Sequence, residues 1–253
     1  MNKLGTLYLI PTTLGEGSEL SAILPEQARR LAATLRTFVT EHPKTARQFL
    51  KQTGTATALQ EIRMSTLDEH TRKEELQSLL QPLLDGEDVG LLSEAGCPAV
   101  ADPGATLVRL AHARNIRVVP LVGPSSILLA LMGSGLNGQS FAFLGYLPAE
   151  KSARINKIQE IEQHSLRLNQ TQIFIETPYR NQQLLQDLVA TCANETELCV
   201  ATDLTLASEN ICTKSIAEWK RKLPDCDKHP TVFVLYRRPA DKGAKKATAR
   251  QRK

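Results

Sequence analysis

The stretch Val89-Gly-Leu-Leu-Ser-Glu-Ala-Gly-Cys-Pro-Ala-Val-Ala-Asp-Pro-Gly104 decides how the chain folds. Val89–Leu92 is a short apolar run between polar residues, which is typical of a buried strand in a parallel sheet. The small residues of Ser93–Pro98 predict a loop in which backbone amides and carbonyls stay accessible. Asp102-Pro103 then favours the start of a helix that runs to about Arg114, because an aspartate can cap the free amides of a first turn.

Two more loops of this kind follow apolar runs in the first half of the chain. Leu7–Ile10 leads into Pro11–Gly17, and the β-branched run Ile116–Val122 leads into Gly123–Ser126. Ligands of parallel α/β sheets bind outside the carboxyl ends of the strands, where such loops gather. The three loops are therefore candidates for one binding edge, although a plain turn without a ligand is the alternative at each of them.

The rest of the first half predicts further helices and one more strand. Their expected bounds are helix Pro25–Arg36, strand Thr37–Thr40, helix Thr45–Gln52 and a helix from a capping box at Ser65–Asp68 to Leu84. The last helix carries a leucine stripe on one face, which indicates core packing rather than cofactor chemistry. This stripe consists of Leu76, Leu79, Leu80 and Leu83.

The second half repeats the alternation of strands and helices. The expected strands are Phe141–Leu147, Gln172–Ile175, Leu198–Thr202 and Thr231–Tyr236, and the expected helices are Lys151–Gln163, Tyr179–Ala193 and Ser215–Lys222. Gly133–Gly138 matches the string of a dinucleotide-binding fingerprint, but it follows a helix and precedes a strand, so the context excludes that function. We expect an α/β protein with two domains, 1–137 and 138–237.

Composition and charge narrow the function classes. The chain has 253 residues and lacks both an apolar run of membrane-spanning length and a signal-peptide core, so we expect a cytoplasmic protein that makes no membrane contact. The five cysteines form no Cys-x-x-Cys pair, and we expect free thiols and no metal site. The tail 238–253 is basic and rich in alanine, which favours either attraction to a phosphate backbone or simple solubilisation. Walker A, Gly-x-Ser-x-Gly and His-Glu-x-x-His motifs are absent from the sequence.

Five segments in a fixed order resemble the tetrapyrrole methylase family of S-adenosylmethionine-dependent methyltransferases, and within it the members that methylate ribose in ribosomal RNA of the small subunit. The segments are Gly5–Thr12, Leu92–Gly104, Pro120–Ser126, Phe141–Pro148 and Glu176–Arg180. The resemblance implies two α/β domains with S-adenosylmethionine in the cleft between them, and a homodimer. It also implies rRNA, or the small ribosomal subunit, as the partner that accepts the methyl group.

The resemblance further implies which residues bind the methyl donor. By position they are Leu14, Cys97, Pro98, Val100, Ser125, Ser126, Ile175, Leu204 and Thr231. All of them follow or begin predicted strands or lie in the loops described above. They form the expected donor site.

The expected catalytic residues are Glu176, Tyr179, Arg180 and Lys44. Glu176 and Arg180 at the end of a strand form either a structural ion pair or part of the chemistry, and Glu176 is the candidate that takes a ribose hydroxyl proton.

Two motifs depart from the family pattern. Glu41-His-Pro-Lys44 stands where the rRNA-methylating members have Glu-Asp-Thr-Arg, and Glu176-Thr-Pro-Tyr-Arg180 stands where they have Glu-Ala-Pro-His-Arg. A guanidinium fork is thus replaced by a point-charge amine, and an imidazole by a phenol. These departures predict a kept donor site and a changed acceptor side. The alternatives are a methyltransferase for tetrapyrroles or other small molecules, and a catalytically silent paralogue that binds the donor or RNA.

Overall fold

A computed structural model describes residues 3–55, 57–68 and 70–239 of the chain. Contacts between residues group the chain into two compact units that divide between Ser126 and Ile127. The boundary expected near Asn137, between two domains that fold independently, stays a prediction. From residue 240 onward, the basic tail expected at 238–253 lies outside the described residues.

The first unit is a parallel sheet with helices between its strands. In chain order the elements are β1 Thr6–Ile10, α1 Leu20–Ile23, α2 Glu26–Thr34, β2 Thr37–Thr40, α3 Pro43–Thr53, β3 Arg63–Thr66, α4 Lys73–Leu79, α5 Gln81–Leu84, β4 Val89–Leu92, α6 Gly104–Ala113 and β5 Arg117–Pro120. The next helix, α7 Ser126–Ser134, begins at the boundary, and all but its first residue belongs to the second unit. The strand order is β3-β2-β4-β1-β5, and all four pairings are parallel. Val89–Leu92 is a buried strand of this sheet, as its apolar run predicts.

The core of the first unit lies on both faces of this sheet. One cluster packs the leucine stripe of α4 and α5 against Leu7, Val89 and Leu107, and the other packs α2 and α3 around Phe38 and Ile10. The expectation that the leucine stripe is core is confirmed, because all four of its side chains are buried.

The expected capping box at Ser65–Asp68 is wrong. Arg63–Thr66 forms β3, which pairs in parallel with β2 at the edge of the sheet. The pairing is extended by Leu67, whose amide donates to the carbonyl of Thr40 at 3.0 Å. Hydrogen bonds to a distant strand outweigh the local capping pattern here, and the helix starts only at Lys73.

The second unit contains a mixed sheet. Its elements are β6 Phe141–Tyr146, α8 Lys151–Leu168, β7 Thr171–Ile175, a 3₁₀ turn Pro178–Arg180, α9 Asn181–Thr191, β8 Glu197–Thr202, β9 Asn210–Ser215, α10 Ile216–Trp219 and β10 Thr231–Tyr236. The strand order is β6-β7-β10-β8-β9, in which β6 and β7 are parallel and the other pairings antiparallel. The sequence gives no sign of β9, because this partly exposed edge strand mixes polar and apolar residues.

Aromatic stacking and a buried ion pair hold the second unit together. The rings of Phe174 and Phe233 stack with centroids 5.9 Å apart, on the neighbouring strands β7 and β10. Arg154 reaches Asp187 at 2.6 Å, and both side chains are buried. Burial makes such a pair costly to break, since either partner alone would be an uncompensated charge.

The fold class and the state of the cysteines were both expected from the sequence. The α/β fold class with two units is confirmed, and all five cysteines are free thiols. Among the described residues, no helix combines the length and the apolar character that a membrane span requires.

We expect Gly90→Ala to destabilise the protein by about 1–3 kcal/mol, because an added methyl group overfills a packed core. A Cβ at Gly90 would lie 2.6 Å from two ring carbons of Phe38 and 3.0 Å from Cδ1 of Ile10. Gly138→Ala is the control, since a Cβ there meets nothing within 4 Å. Urea unfolding of both variants measures the difference. Equal free energies of unfolding for the two variants would show that the side chains of Phe38 and Ile10 can shift without destabilising the protein.

Candidate functional site

Hydrogen bonds join the loops that follow β1 and β4 at the carboxyl edge of the first sheet. The amide of Thr12 donates to the carbonyl of Gly96 at 2.9 Å, and the amide of Gly96 donates to the carbonyl of Thr13 at 3.4 Å. The hydroxyl of Ser93 also donates to the Gly96 carbonyl, at 2.8 Å. The two loops therefore form one surface.

The loop that follows β5 lies against this surface. Cys97 Sγ lies 3.3 Å from the carbonyl oxygen of Pro124, to which it donates. Gly96 has a φ of 71°, and a Cβ there would lie 3.0 Å from Leu14 Cδ2 and 3.3 Å from the Pro124 carbonyl. The structure thus brings together Leu14, Cys97 and the start of the segment that carries Ser125, as the binding-edge prediction requires.

The turn between β4 and α6 is held in a strained shape. Ala99 and Ala101 have φ values of 65° and 56°, a region that residues with a Cβ seldom occupy. Asp102 fixes the turn, because its Oδ1 accepts from the amides of Ala99 at 3.1 Å and Gly104 at 2.6 Å. Burial raises the pKa of Asp102, while these two bonds lower it. Val100, at the tip, is 47% exposed.

Within the first unit, a cavity of about 670 Å³ opens beside these loops. It is lined by Thr12–Ser18, which include Leu14, by α3 from Thr45 to Gln52, and by Ser93–Ala95. The lining mixes hydroxyl and amide side chains with apolar ones such as Leu14 and Phe49. Among the lining side chains with a charge are Glu16, Glu94 and Lys51. This cavity can take a polar molecule that offers hydroxyl groups.

Glu41 and Lys44 lie at the end of β2 and the start of α3. Burial raises the pKa of Glu41, and the nearby charges of Asp102 and Glu94 raise it further. Lys44 is exposed in the first turn of α3, which Pro43 begins. Lys44 can therefore meet a phosphate in solution. Sequence reasoning did not identify Glu41 as a group with a raised pKa, since the carboxylates that raise it come from other loops.

The strand register of the second unit brings its predicted site residues to one edge. Ile175 pairs with Val232, and Thr231 pairs with Thr202. Glu176 and Leu204 follow closely after the ends of β7 and β8. The residues that the family resemblance assigns to this unit thus occupy the ends of three neighbouring strands.

Glu176 and Arg180 form an ion pair around the 3₁₀ turn. Glu176 Oε1 accepts from Arg180 Nη2 at 2.7 Å and from the amide of Thr177 at 2.6 Å. The Glu176 side chain is 1% exposed, and its Oε2 has no hydrogen-bond partner among the described residues. The hydrogen bond and charge of Glu176 raise the pKa of Arg180. Tyr179, by contrast, is 79% exposed.

A histidine and an aspartate that sequence reasoning missed lie at the same edge of the second sheet. His229 Nδ1 and Asp203 Oδ2 are 2.7 Å apart. The sequence alone does not predict this pair, because its two residues lie at the ends of different strands and neither stands in a recognised motif. Among the described residues, no three His, Cys, Asp or Glu side chains are grouped as metal ligands would be.

We expect Asp102→Ala to lower the free energy of unfolding by about 1–3 kcal/mol, because two loop amides lose their acceptor. Asp102→Asn keeps an oxygen at that position and should retain most of the stability. Burial raises the pKa of Asp102 in the folded state above its ordinary 3.8. Between pH 3.8 and that raised pKa the folded state binds more protons than the unfolded state, so the free energy of unfolding of the wild type falls as the pH rises. Asp102→Asn should remove this fall in urea unfolding measured against pH. Equal pH dependence of the two proteins would contradict the burial of the carboxyl group.

Known proteins resemble this chain in sequence and in fold. The family model of Tetrapyrrole (Corrin/Porphyrin) Methylases matches residues 7–220. "Ribosomal RNA small subunit methyltransferase I" of Vibrio cholerae is 32% identical over 84% of this chain and 69% of its own length. The protein of the same name from Xylella fastidiosa is 30% identical over 100% of this chain and 88% of its own length.

Solved structures share the fold. The crystal structure of the methyltransferase CobJ aligns with a TM-score of 0.60 over 92% of this chain and 94% of that chain. Its sequence identity is 16%, so the likeness concerns the fold alone. The family match and the two relatives together cover both units. This chain is therefore a methyltransferase of the tetrapyrrole methylase family, whose members are S-adenosylmethionine-dependent.

Proposed function

We propose that the chain transfers a methyl group from S-adenosylmethionine to a ribose 2′-hydroxyl in ribosomal RNA of the small subunit. The observation that carries this proposal is about 30% identity, over most of both chains, with relatives named Ribosomal RNA small subunit methyltransferase I. The charges that line the cavity of the first unit support it. A tetrapyrrole carries several carboxylates, and Glu16 and Glu94 would repel them more than Lys51 attracts them.

Six residues of the first unit are proposed for donor binding, and Leu14 among them lines the cavity. They are Leu14, Cys97, Pro98, Val100, Ser125 and Ser126. The strained turn at Ala99 and Ala101 supports the proposal, because backbone strain persists mainly at functional sites. The small residues around it leave backbone groups accessible to an adenosyl or methionyl group.

In the second unit, Ile175, Leu204 and Thr231 are the proposed donor residues. Their position at the ends of three adjacent strands supports this assignment. The unpartnered Oε2 of Glu176 is a buried acceptor beside Ile175, and it fits an amino or hydroxyl donor of the ligand. Both sets of residues therefore suit S-adenosylmethionine.

The chemistry asks the protein mainly for positioning. The bound donor supplies a methyl group that its sulfonium already makes electrophilic. Alignment of the nucleophile with that carbon, in a dry site, can contribute roughly 7–11 kcal/mol. In our proposal Lys44 meets a phosphate of the RNA as a point charge, and the exposed ring of Tyr179 stacks on a base. Arg180 and Glu176 hold the turn that presents Tyr179.

We also propose that the enzyme works in the cytoplasm, where ribosomal subunits are found, and that it is a homodimer. Light scattering on the purified full chain measures the mass of the particle and separates a monomer from a dimer. Limited proteolysis tests the proposed domain boundary near Asn137.

We expect S-adenosylmethionine to stabilise the wild-type protein by about 2.7 kcal/mol at one hundred times its dissociation constant. Ser126→Trp should abolish this effect, because the indole fills the proposed donor site. Ser78→Trp is the matched control, since Ser78 is an exposed serine in α4 far along the chain from that loop. Calorimetry and thermal unfolding measure both quantities. No binding of the donor or its demethylated product to wild type at millimolar concentration would contradict the donor site.

We expect labelled methyl groups to enter rRNA when the protein is added to small ribosomal subunits that lack the family's ribose methylation, mainly at a nucleotide other than the cytidine that the resembling members modify. Lys44→Ala should lower kcat/KM by roughly 10- to 100-fold, because a charged hydrogen bond to phosphate is lost. Donor affinity should not change. Lys151→Ala is the matched control, since Lys151 is likewise an exposed lysine in the first turn of a helix.

Primer extension then locates the modified nucleotide. The changed acceptor side predicts weak or no methylation at the cytidine that the resembling members modify. Efficient methylation of that cytidine would show that the departures at Lys44 and Tyr179 leave the acceptor unchanged. Label in a tetrapyrrole extract and none in RNA would contradict the proposed acceptor.

A further inference from the structure

An imidazole and a buried carboxylate form a fixed pair in the second unit. His229 Nδ1 lies 2.7 Å from Asp203 Oδ2, and the two side chains are 48% and 6% exposed. An ionised carboxylate can only accept at this distance, so Nδ1 donates to it, and in the neutral form of the ring Nε2 keeps its lone pair. The pair therefore presents a basic nitrogen on an exposed ring.

Asp203 is held on several sides. The hydroxyl of Ser208 donates to the same Oδ2 at 2.8 Å, and the Asp203 amide donates to the carbonyl of Pro230 at 2.9 Å. Its φ of 52° lies in the left-handed region, which aspartate adopts more readily than most residues with a side chain. The two hydrogen bonds, on its carboxylate and on its amide, therefore hold Asp203 in place.

The backbone of His229 is fixed independently of its ring. Its carbonyl accepts from Nδ2 of the fully buried Asn181 at 2.6 Å and from the hydroxyl of Thr231 at 2.9 Å. The preceding amide, of Lys228, donates to the carbonyl of Pro178 at 3.0 Å. His229 thus lies beside the turn that carries Tyr179 and Arg180.

The neighbours of the pair are residues already proposed to bind the donor. Leu204 directly follows Asp203, and Thr231 both bonds the His229 carbonyl and pairs with Thr202 on β8. Ile175 pairs with Val232, one residue beyond Thr231. The imidazole therefore belongs to the same strand ends as the second unit's donor residues.

Glu176 is less suited to accept a proton from an incoming hydroxyl. Its Oε1 is occupied by Arg180 and by the amide of Thr177, and its side chain is almost fully buried. A general base must come within about 2.6–3.2 Å of the proton that it takes, or act through one water. The exposed ring of His229 meets that requirement better than the buried carboxylate.

We propose that His229 is the general base of the methyl transfer and that Asp203 positions its ring. This inference rests on the proposed ribose acceptor. The 2′-oxygen forms its bond to the methyl carbon while the carbon–sulfur bond breaks, and the sulfonium becomes a neutral thioether. The hydroxyl proton passes to Nε2 of His229, and the imidazolium so formed is stabilised by the Asp203 carboxylate.

The test uses the full chain, labelled donor and small ribosomal subunits without the ribose methylation. His229→Ala should lower kcat by roughly 10²- to 10⁴-fold, which is the usual contribution of a general base. Donor affinity should stay unchanged, because the hydrogen bonds of Asn181 and Thr231 go to the backbone of residue 229. Added imidazole should restore part of the activity. Asp203→Asn should lower kcat less and should not respond to imidazole.

The controls separate catalysis from stability. His164→Ala removes another partly exposed histidine with a nearby carboxylate, Glu160 at 3.9 Å, and should leave kcat unchanged. His229→Gln is made as well, and urea unfolding shows whether each variant is folded. The inference is overturned, and the proposed function is not, if a folded His229→Ala protein keeps the wild-type kcat. The same holds if that protein loses activity and imidazole does not restore it. No transfer to RNA by the wild-type protein overturns the proposed function and the inference with it.

Discussion

Parallel pairing of β4 with both β1 and β2 is the constraint on which the first unit depends. Since parallel strands point the same way, the loops after all three must emerge at one edge of the sheet. Gly90 lets β4 come close to the ring of Phe38, so the strand in the middle of the sheet has no room for a larger residue there. The bond from Thr12 to Gly96 then turns two neighbouring loops into one surface. The strained turn at Ala99 is stable only because this framework and Asp102 hold its ends.

In the second unit, antiparallel strands likewise bring the predicted site residues to one edge of the sheet. β10 lies between β7 and β8 and runs against both, so its first residue, Thr231, meets the last residues of its neighbours. The start of β10 thus lies beside the ends of β7 and β8, and polar groups that are far apart in sequence come together there. Stacking of Phe174 on Phe233 sets the register of β7 and β10 from within the core. A slip of one residue would turn the strand's side chains to the opposite face and separate Thr231 from Thr202.

The sequence allows most of this framework to be predicted, and the exceptions have a common cause. Buried strands such as Val89–Leu92 and Thr231–Tyr236 are apolar runs, and their patterns are local. The edge strands β3 and β9 are partly polar and partly exposed, and they form because a neighbouring strand offers hydrogen bonds. The proposed donor residues follow from family resemblance, whereas His229 and Asp203 stand 26 positions apart and meet only through the strand register. Contacts of this kind cannot be derived from local pattern.

The same register bears on the proposed change of the acceptor side. The resemblance to rRNA-methylating members implies a histidine at the position of Tyr179. Here the phenol is mostly exposed, and an imidazole is supplied instead by His229, on a segment whose neighbouring amide bonds the carbonyl of Pro178. A phenol is a poor base near neutral pH, while an imidazole oriented by a carboxylate is a good one. In our proposal the group that accepts the proton is therefore the imidazole of His229, on the segment that adjoins the turn of Tyr179. Methyl transfer then does not depend on the phenol, and the exposed ring of Tyr179 can contact the RNA.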